Sequence, residues 1–334
     1  MMLKYCSSPF DTVNIHAPGL VGLCLCSGWH TQGFIGDLRT QSLKEIFKSK
    51  AVQEFRDTIF TQTFQYCNTH TCGKIWNLES VPNFDRIDKH PTLPTNIQLH
   101  LDKNCTLKCP SCRNKNIYSP DIHQPTKHIL EVLSRDYADF DQRVFVYADA
   151  YGDVFASSAY QQFLRGNNIP KCFKFCFTTN GNLLTKNLDL LTKLKDQIDI
   201  VNVSLDSATD DTYKDVRGGK FNILLDGIKQ CIELGITVSS QFVVQYRNYK
   251  EILDYVILAK NIGITHIGFQ CINRWPHMSD SWWNYNQIDN NPNVDYKFLV
   301  NALIEIKNDP QCGINGGLES IIYNHSHPLQ IEQS

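Results

Sequence analysis

Asn96-Ile97-Gln98-Leu99-His100-Leu101-Asp102-Lys103-Asn104-Cys105-Thr106-Leu107-Lys108-Cys109-Pro110-Ser111-Cys112-Arg113 is the stretch on which the reading of this chain turns. Its first part alternates, with Ile97, Leu99 and Leu101 apolar and Gln98, His100 and Asp102 polar, the period of a strand with one buried face. The strand then breaks into a tight loop whose three cysteines are spaced C-x3-C-x2-C. Thiolates are soft ligands that suit iron–sulfur clusters and zinc. A structural zinc site usually takes four ligands in two short pairs, and this loop has no second pair. Three thiolates on one loop can instead hold three corners of a [4Fe–4S] cube and leave the fourth iron open.

The chain has 334 residues, enough for one large α/β domain and a small second one. A net charge of −2 gives no electrostatic reason to expect nucleic acid or an anionic membrane as partner. Thirteen cysteines, many inside apolar runs, read as metal-bound thiolates in a reducing compartment rather than as a secreted disulfide scaffold. The start has no long apolar core of a signal peptide, and no run reaches transmembrane length. The expectation is a soluble, cytoplasmic protein.

Residues 1–90 read as a separate block, joined to the rest by a linker marked by Pro82, Pro91 and Pro94. Cys6-Ser7-Ser8-Pro9-Phe10, Val13-Asn14-Ile15, Pro18-Gly19 and Leu23-Cys24-Leu25-Cys26 suggest a short hairpin with cysteines at its ends. Ser42-Leu43-Lys44-Glu45 is a capping box. It predicts one helix with a stripe of Leu43, Ile46, Phe47, Ala51, Phe55 and Ile59. Cys67 and Cys72 follow. So small a block has too little core to fold well unaided, which predicts a metal staple.

From residue 91 to 334 strand patterns alternate with helix patterns, the signature of parallel βαβ units. After the first strand, strands are predicted at 143–148, 174–178, 199–204, 237–244 and 266–270. Helices are predicted at 129–136, 157–164, 185–195, 221–234 and 249–262. Leu234-Gly235-Ile236-Thr237 and Ile262-Gly263-Ile264-Thr265 repeat one device, a left-handed glycine cap followed by the next strand. Asn202, Ser204 and Asp206, and likewise Gln241 and Gln245, fall opposite the apolar face of their strands. A closed eight-stranded barrel fills its interior with apolar layers, so a polar inner face implies an open lumen.

These features together resemble the radical S-adenosylmethionine (radical SAM) superfamily. The resemblance implies an α/β fold, a partial (β/α)6 TIM-like barrel. It also implies that Cys105, Cys109 and Cys112 hold a [4Fe–4S] cluster whose open iron chelates SAM. There an electron cleaves SAM, and the resulting 5′-deoxyadenosyl radical abstracts hydrogen from substrate. The residue before the last cysteine is often aromatic in that family and is Ser111 here. Strand ends carry the rest of the likeness. In Asp149-Ala150-Tyr151-Gly152-Asp153, Gly152 and Asp153 match a glycine–acid motif that holds the SAM amino group, with Tyr151 in place of a glycine. Asn180, in Thr179-Asn180-Gly181, is implied to reach the ribose. Ser204, with Arg217 thirteen residues on, is implied to lie near the methionine carboxylate, a group that the fork of an arginine binds in two bonds.

The first block is similar in the order of its motifs to the SPASM-type auxiliary cluster domain, here preceding the barrel rather than following it. By position, Cys6, Cys24, Cys67 and Cys72 are the implied ligands of a second [4Fe–4S] cluster, with Cys26 the rival of Cys24. A zinc staple on the same thiolates is the alternative. The resemblance implies a reductant such as flavodoxin or ferredoxin, and a sugar, small-molecule or peptide substrate that is oxidised, epimerised or crosslinked. A metal-binding module without radical catalysis is the alternative function.

Among the other cysteines, Cys172 and Cys231 read as buried thiols. Cys176 lies on the inner face of its strand, Cys271 on an outward parity, and Cys312 in a turn. Trp275, Trp282, Trp283 and Tyr285 lie in a polar loop that reads equally as a lid or as a plug on the barrel edge.

Overall fold

Asn96–His100 forms a strand with the burial its alternation predicts: Ile97 and Leu99 are buried, and Asn96, Gln98 and His100 half-buried. The structure is a computed structural model. It describes residues 3–24, 33–68, 72, 75, 78, 80–81, 90–113, 123–148 and 152–326. Cys26, Pro82 and Tyr151 lie outside the described residues. The chain divides into two compact units, Met1–Asn104 with Tyr118–Phe177, and Cys105–Ile117 with Thr178–Ser334.

In the first unit the strands are β1 (Leu3–Lys4), β2 (Thr12–His16), β3 (Leu20–Leu23), β4 (Phe34–Asp37), β5 (Ser80–Val81), β6 (Asn96–His100) and β7 (Val144–Ala148). β8 (Phe173–Thr179) carries the chain into the second unit. Helices α1 (Ser8–Asp11), α2 (Leu43–Phe47), α3 (Lys50–Phe60), α4 (His123–Asp136) and α5 (Ser158–Arg165) accompany them. The hairpin is present, with β2 and β3 antiparallel and Val13 opposite Leu23. The block that contains it is nevertheless not set apart. β2 runs parallel to β6, with Val13 opposite Ile97 and His16 opposite His100. The amide of Leu43 donates to Asp136 Oδ2 of α4 at 2.7 Å. The apolar alternation of Val13 and Ile15, both fully buried, gives β2 the buried face a sheet neighbour needs.

The capping box forms as expected, with Ser42 Oγ accepting from the Glu45 amide and Glu45 reaching back to Ser42. The single predicted helix is two, because Ser49 interrupts it and caps α3 by accepting from the Val52 amide. A serine able to cap competes with helix continuation. Arg56 of α3 is buried, donates through Nε to the Pro9 carbonyl at 3.0 Å and lies 4.3 Å from the Phe47 ring centre.

The second unit holds β9 (Ile198–Ser204), β10 (Val238–Val244), β11 (His266–Cys271) and β12 (Cys312–Ile314), all parallel in that order. Its helices are α6 (Leu188–Leu194), α7 (Asp210–Arg217), α8 (Phe221–Glu233), α9 (Ile252–Asn261), α10 (Asp280–Asn286), α11 (Tyr296–Lys307) and α12 (Gly316–Ser326). Val201, Val203 and Leu205 are fully buried while Asn202 and Ser204 are half-buried, so the predicted two-faced strand is real. Gly235 and Gly263 take the left-handed conformation, φ 80° and 92°, as helix caps.

Three expectations give way in this unit. Cys312 opens strand β12 against Ile267 rather than lying in a turn. The aromatic loop contains helix α10, started by Ser279, whose Oγ accepts from the Trp282 amide. Helix α7, predicted only as a motif, is eight residues long and capped by Thr209. In the first unit Cys172 is half-buried rather than buried. Among the described residues no helix is long and apolar enough to cross a membrane.

Candidate functional site

The three-cysteine loop leaves the strand register after Leu101 and turns back on itself. The amides of Cys112 and Arg113 both donate to the Cys109 carbonyl, at 2.9 and 3.0 Å. This turn buries Cys109, leaves Cys105 half-buried and exposes Cys112. Two neighbours from the same unit address the thiols. Asn180, in the turn after β8, is buried and donates through Nδ2 to Cys105 Sγ at 3.4 Å. The same side chain exchanges hydrogen bonds with Thr106 Oγ1. Gly181 sits at φ 79°, a turn conformation glycine adopts without steric cost.

Arg217 is the second neighbour. It ends α7, which closes on Gly218 at φ 70°, and Gly218 lies against the loop, 3.9 Å from the Lys108 carbonyl oxygen to an added Cβ. Burial works against the guanidinium charge, but the Asp206 carboxylate, and Cys109 in its thiolate form, outweigh it and keep Arg217 firmly protonated. Burial pushes the Cys109 thiol up, opposed by the Arg217 charge. Arg217 Nη1 donates to Asp206 Oδ2 at 3.1 Å, both side chains being largely buried. Ser204 ends β9 half-buried, in register with Gln241.

Gly152 and Asp153 belong to the first unit. A Cβ on Gly152 would come within 2.3 Å of the Asn104 carbonyl oxygen, so only glycine fits where this backbone passes the residue preceding Cys105. The Asp153 amide donates to that same oxygen at 2.7 Å, and its Oδ1 accepts from the Phe155 amide at 3.0 Å. The acid therefore shapes its own turn with one carboxylate oxygen.

Cys6, Cys24, Cys67 and Cys72 are all half-buried, also in the first unit. Cys24 follows β3 at φ 65°, its amide bonded to the Thr12 carbonyl, and its own carbonyl accepts from Asn14 Nδ2. Asn14 Oδ1 in turn meets His100 Nε2 at 3.3 Å. His100 stacks on His16 with ring centres 4.9 Å apart, and burial, helped by His16, lowers its pKa to about 4. Among the described residues no three His, Cys, Asp or Glu side chains are already gathered as a metal cage. The donors nevertheless suit iron–sulfur clusters: all are thiols, and the 105–112 loop adds a hydrogen-bond donor and a fixed positive charge.

Burial pushes Cys231 and Cys271 up to about 12, and Cys271 Sγ faces Gly317 of α12, as its outward parity predicts. Cys176 is buried. A cavity of about 790 Å³ beside Lys127, Arg135 and Lys171, in the first unit, contains none of the candidate residues. Reading the sequence for sites passed over Asp206 and Glu251. Asp206 was legible as an inward polar residue at a strand end, but nothing in sequence links it to Arg217.

The parallel α/β arrangement and the three-thiol loop define the class, a thiol-rich α/β protein whose donors suit iron–sulfur binding. The chain carries a radical SAM superfamily domain and, ahead of it, an iron–sulfur cluster-binding SPASM domain. The radical SAM family model matches residues 102–266 and the SPASM model residues 6–74. These families imply SAM, a [4Fe–4S] cluster and auxiliary iron–sulfur binding. A probable GTP 3′,8-cyclase of Saccharolobus islandicus is 39% identical over 93 residues, 27% of this chain and 29% of that protein. A GTP 3′,8-cyclase of Alkaliphilus oremlandii is 25% identical over 198 residues, 58% of this chain and 60% of that protein. Streptococcus suis SuiB, in its structure with S-adenosylmethionine, superposes with a TM-score of 0.51 at 16% identity, over 70% of this chain and 53% of that one. The likeness to SuiB is one of fold. The chain covers less than two thirds of each of these relatives.

Proposed function

We propose that this chain cleaves SAM reductively at a [4Fe–4S] cluster held by Cys105, Cys109 and Cys112, and applies the radical to a sugar, small-molecule or peptide substrate. The observation that carries this reading is that Asn180 donates to Cys105 Sγ and that the end of α7, where Arg217 is followed by Gly218, lies against Lys108 of the cysteine loop. A loop with three thiols and no second ligand pair does not by itself complete a four-coordinate structural zinc site. When bound, the cluster supplies one electron to SAM, and the 5′-deoxyadenosyl radical so released takes hydrogen from substrate. The protein's own part is to hold and screen. Arg217 presents its charge toward the SAM carboxylate, Ser204 lies at the end of the same β9 connection, and Asn180 serves the ribose. Gly152 and Asp153 serve the amino group.

Cys6, Cys24, Cys67 and Cys72 would hold the auxiliary cluster, which would supply a one-electron acceptor there and make the net reaction an oxidation. A flavodoxin or ferredoxin supplies the reducing electron, and the cysteine usage supports a cytoplasmic setting. The 198-residue match to a protein named GTP 3′,8-cyclase supports a second reading, in which the substrate is a nucleoside triphosphate.

The test is anaerobic reconstitution and assay for 5′-deoxyadenosine with dithionite. Formation above a Cys105→Ala control is expected, and equality with that control overturns the radical reading. Consumption of GTP coupled to deoxyadenosine decides for the second reading.

A further inference from the structure

The end of β9 and the start of α7 are held by a lattice of hydrogen bonds more elaborate than a connecting loop needs. Asp206 adopts φ 58°, a conformation that a side chain with a Cβ disfavours and that the surroundings must maintain. They do so at three points. Asp206 Oδ1 accepts from the Val243 amide at 2.6 Å, Oδ2 accepts from Arg217 Nη1 at 3.1 Å, and its carbonyl accepts from Asn248 Nδ2 at 2.9 Å. Asn248 is itself fixed, donating also to the Val243 carbonyl and accepting from the Gln245 amide. Glu251 then gathers the far end of the helix, accepting from the Ala208 amide at 2.7 Å, from Thr209 Oγ1 at 2.9 Å and from Thr212 Oγ1. Both ends of α7 are thereby pinned, and its last residue is Arg217.

The ion pair so placed is buried, with 13% of the Arg217 side chain and 2% of Asp206 exposed. Arg217 Nε is buried with no hydrogen-bond partner among the described residues. Stability alone is weak grounds for a buried ion pair, since desolvation offsets much of its attraction. A charge in such surroundings does, however, act strongly on a neighbouring redox centre, because little water screens it.

We propose that Asp206 is a positioning residue that fixes Arg217 at the end of α7, where the adjoining Gly218 meets Lys108 of the cysteine loop, and that this pair sets the reduction potential of the cluster held by Cys105, Cys109 and Cys112. The inference rests on that cluster assignment and concerns the pair's effect before SAM binds. One-electron reduction adds a negative charge to the cluster. The Arg217 cation favours the reduced form, and the Asp206 carboxylate opposes it. The two residues therefore act with opposite signs.

The experiment is a redox titration of the reconstituted full-length chain without SAM, followed by electron paramagnetic resonance of the signal absent from Cys109→Ala. Arg217→Gln is expected to lower the midpoint potential and Asp206→Asn to raise it, with the double variant between the two. Arg217→Lys, which keeps the charge, is expected to stay near the unaltered protein, so the comparison with Arg217→Gln holds even if Asp206→Asn does not fold. Equal potentials in Arg217→Gln and Arg217→Lys at full iron content overturn the proposal while leaving the cluster assignment intact. An unaltered chain without a signal that depends on Cys109 overturns both.

Discussion

The two cysteine sets of this protein are organised on opposite plans. The loop of Cys105, Cys109 and Cys112 is local: its geometry is set by one turn around the Cys109 carbonyl, and its surroundings supply a donor and a cation. Cys6, Cys24, Cys67 and Cys72 are dispersed, each placed by a different piece of backbone. Cys24 follows β3, the Cys67 amide bonds to the Phe64 carbonyl and the Cys72 amide to the Asn68 carbonyl. A local set places its ligands through a few backbone dihedrals and leaves the protein free to tune the site with side chains. A dispersed set instead links any site it forms to the folding of its whole block, so a metal bound there would couple binding to stability.

Substitution at the loop gives the largest effect. Cys109→Ala is expected to abolish deoxyadenosine formation, while bound iron falls from about eight to about four per chain. Metal analysis checks this, and complete loss of iron would break the distinction between a local and a dispersed site. The Cys67→Ala, Cys72→Ala double variant tests the other set. If it folds, it should still cleave SAM and form deoxyadenosine yet fail to complete product, read by chromatography of both. Normal product without a second cluster would leave the dispersed set a staple only.

Gly152→Ala is next, since the added carbon meets backbone rather than a movable side chain. A loss of about 1–3 kcal/mol in unfolding free energy is expected, measured by denaturant melts, together with weaker SAM binding. Arg217→Lys should weaken SAM binding by about 1–3 kcal/mol, because the charge stays but the two-bond fork is lost. An unchanged dissociation constant would remove Arg217 from the SAM site.

The smallest effect belongs to the dispersed side. His100 has an ordinary pKa of 6.5 and a folded value of about 4. The unfolded chain thus takes up a proton first as pH falls, so this contribution to stability is full above pH 6.5 and is lost on the way down to 4. Discounted for partial exposure it is about 1–2 kcal/mol. His100→Gln should flatten the pH dependence of unfolding in that window, and an unaltered slope would place the effect elsewhere.

Much of this was legible because the relevant signals are periodic or contiguous. The strands from 96 to 271 were placed to within a residue or two by apolar alternation, and the cysteine loop is readable from spacing alone. What escaped was short or dependent on distant residues. β12 has three residues, too few to show a period. Ser49 split one helix into two because a capping serine can sit within an apolar stripe without breaking its spacing. The pairing of β2 with β6 joins residues far apart in the chain, and the bond between Asp206 and Arg217 joins the two ends of a strand-to-helix connection, which no periodic pattern records.

The parallel pairing of β2 with β6 also bears on how the protein can be taken apart. A fragment beginning at residue 91 would present β6 with the backbone edge that β2 occupies left open, and with Ile97 and Leu99 deprived of their neighbours Val13 and Ile15. Open apolar edges of this kind recruit other chains. The amino-terminal block thus guards the edge of β6, and cutting the chain between them invites aggregation rather than a well-behaved fragment.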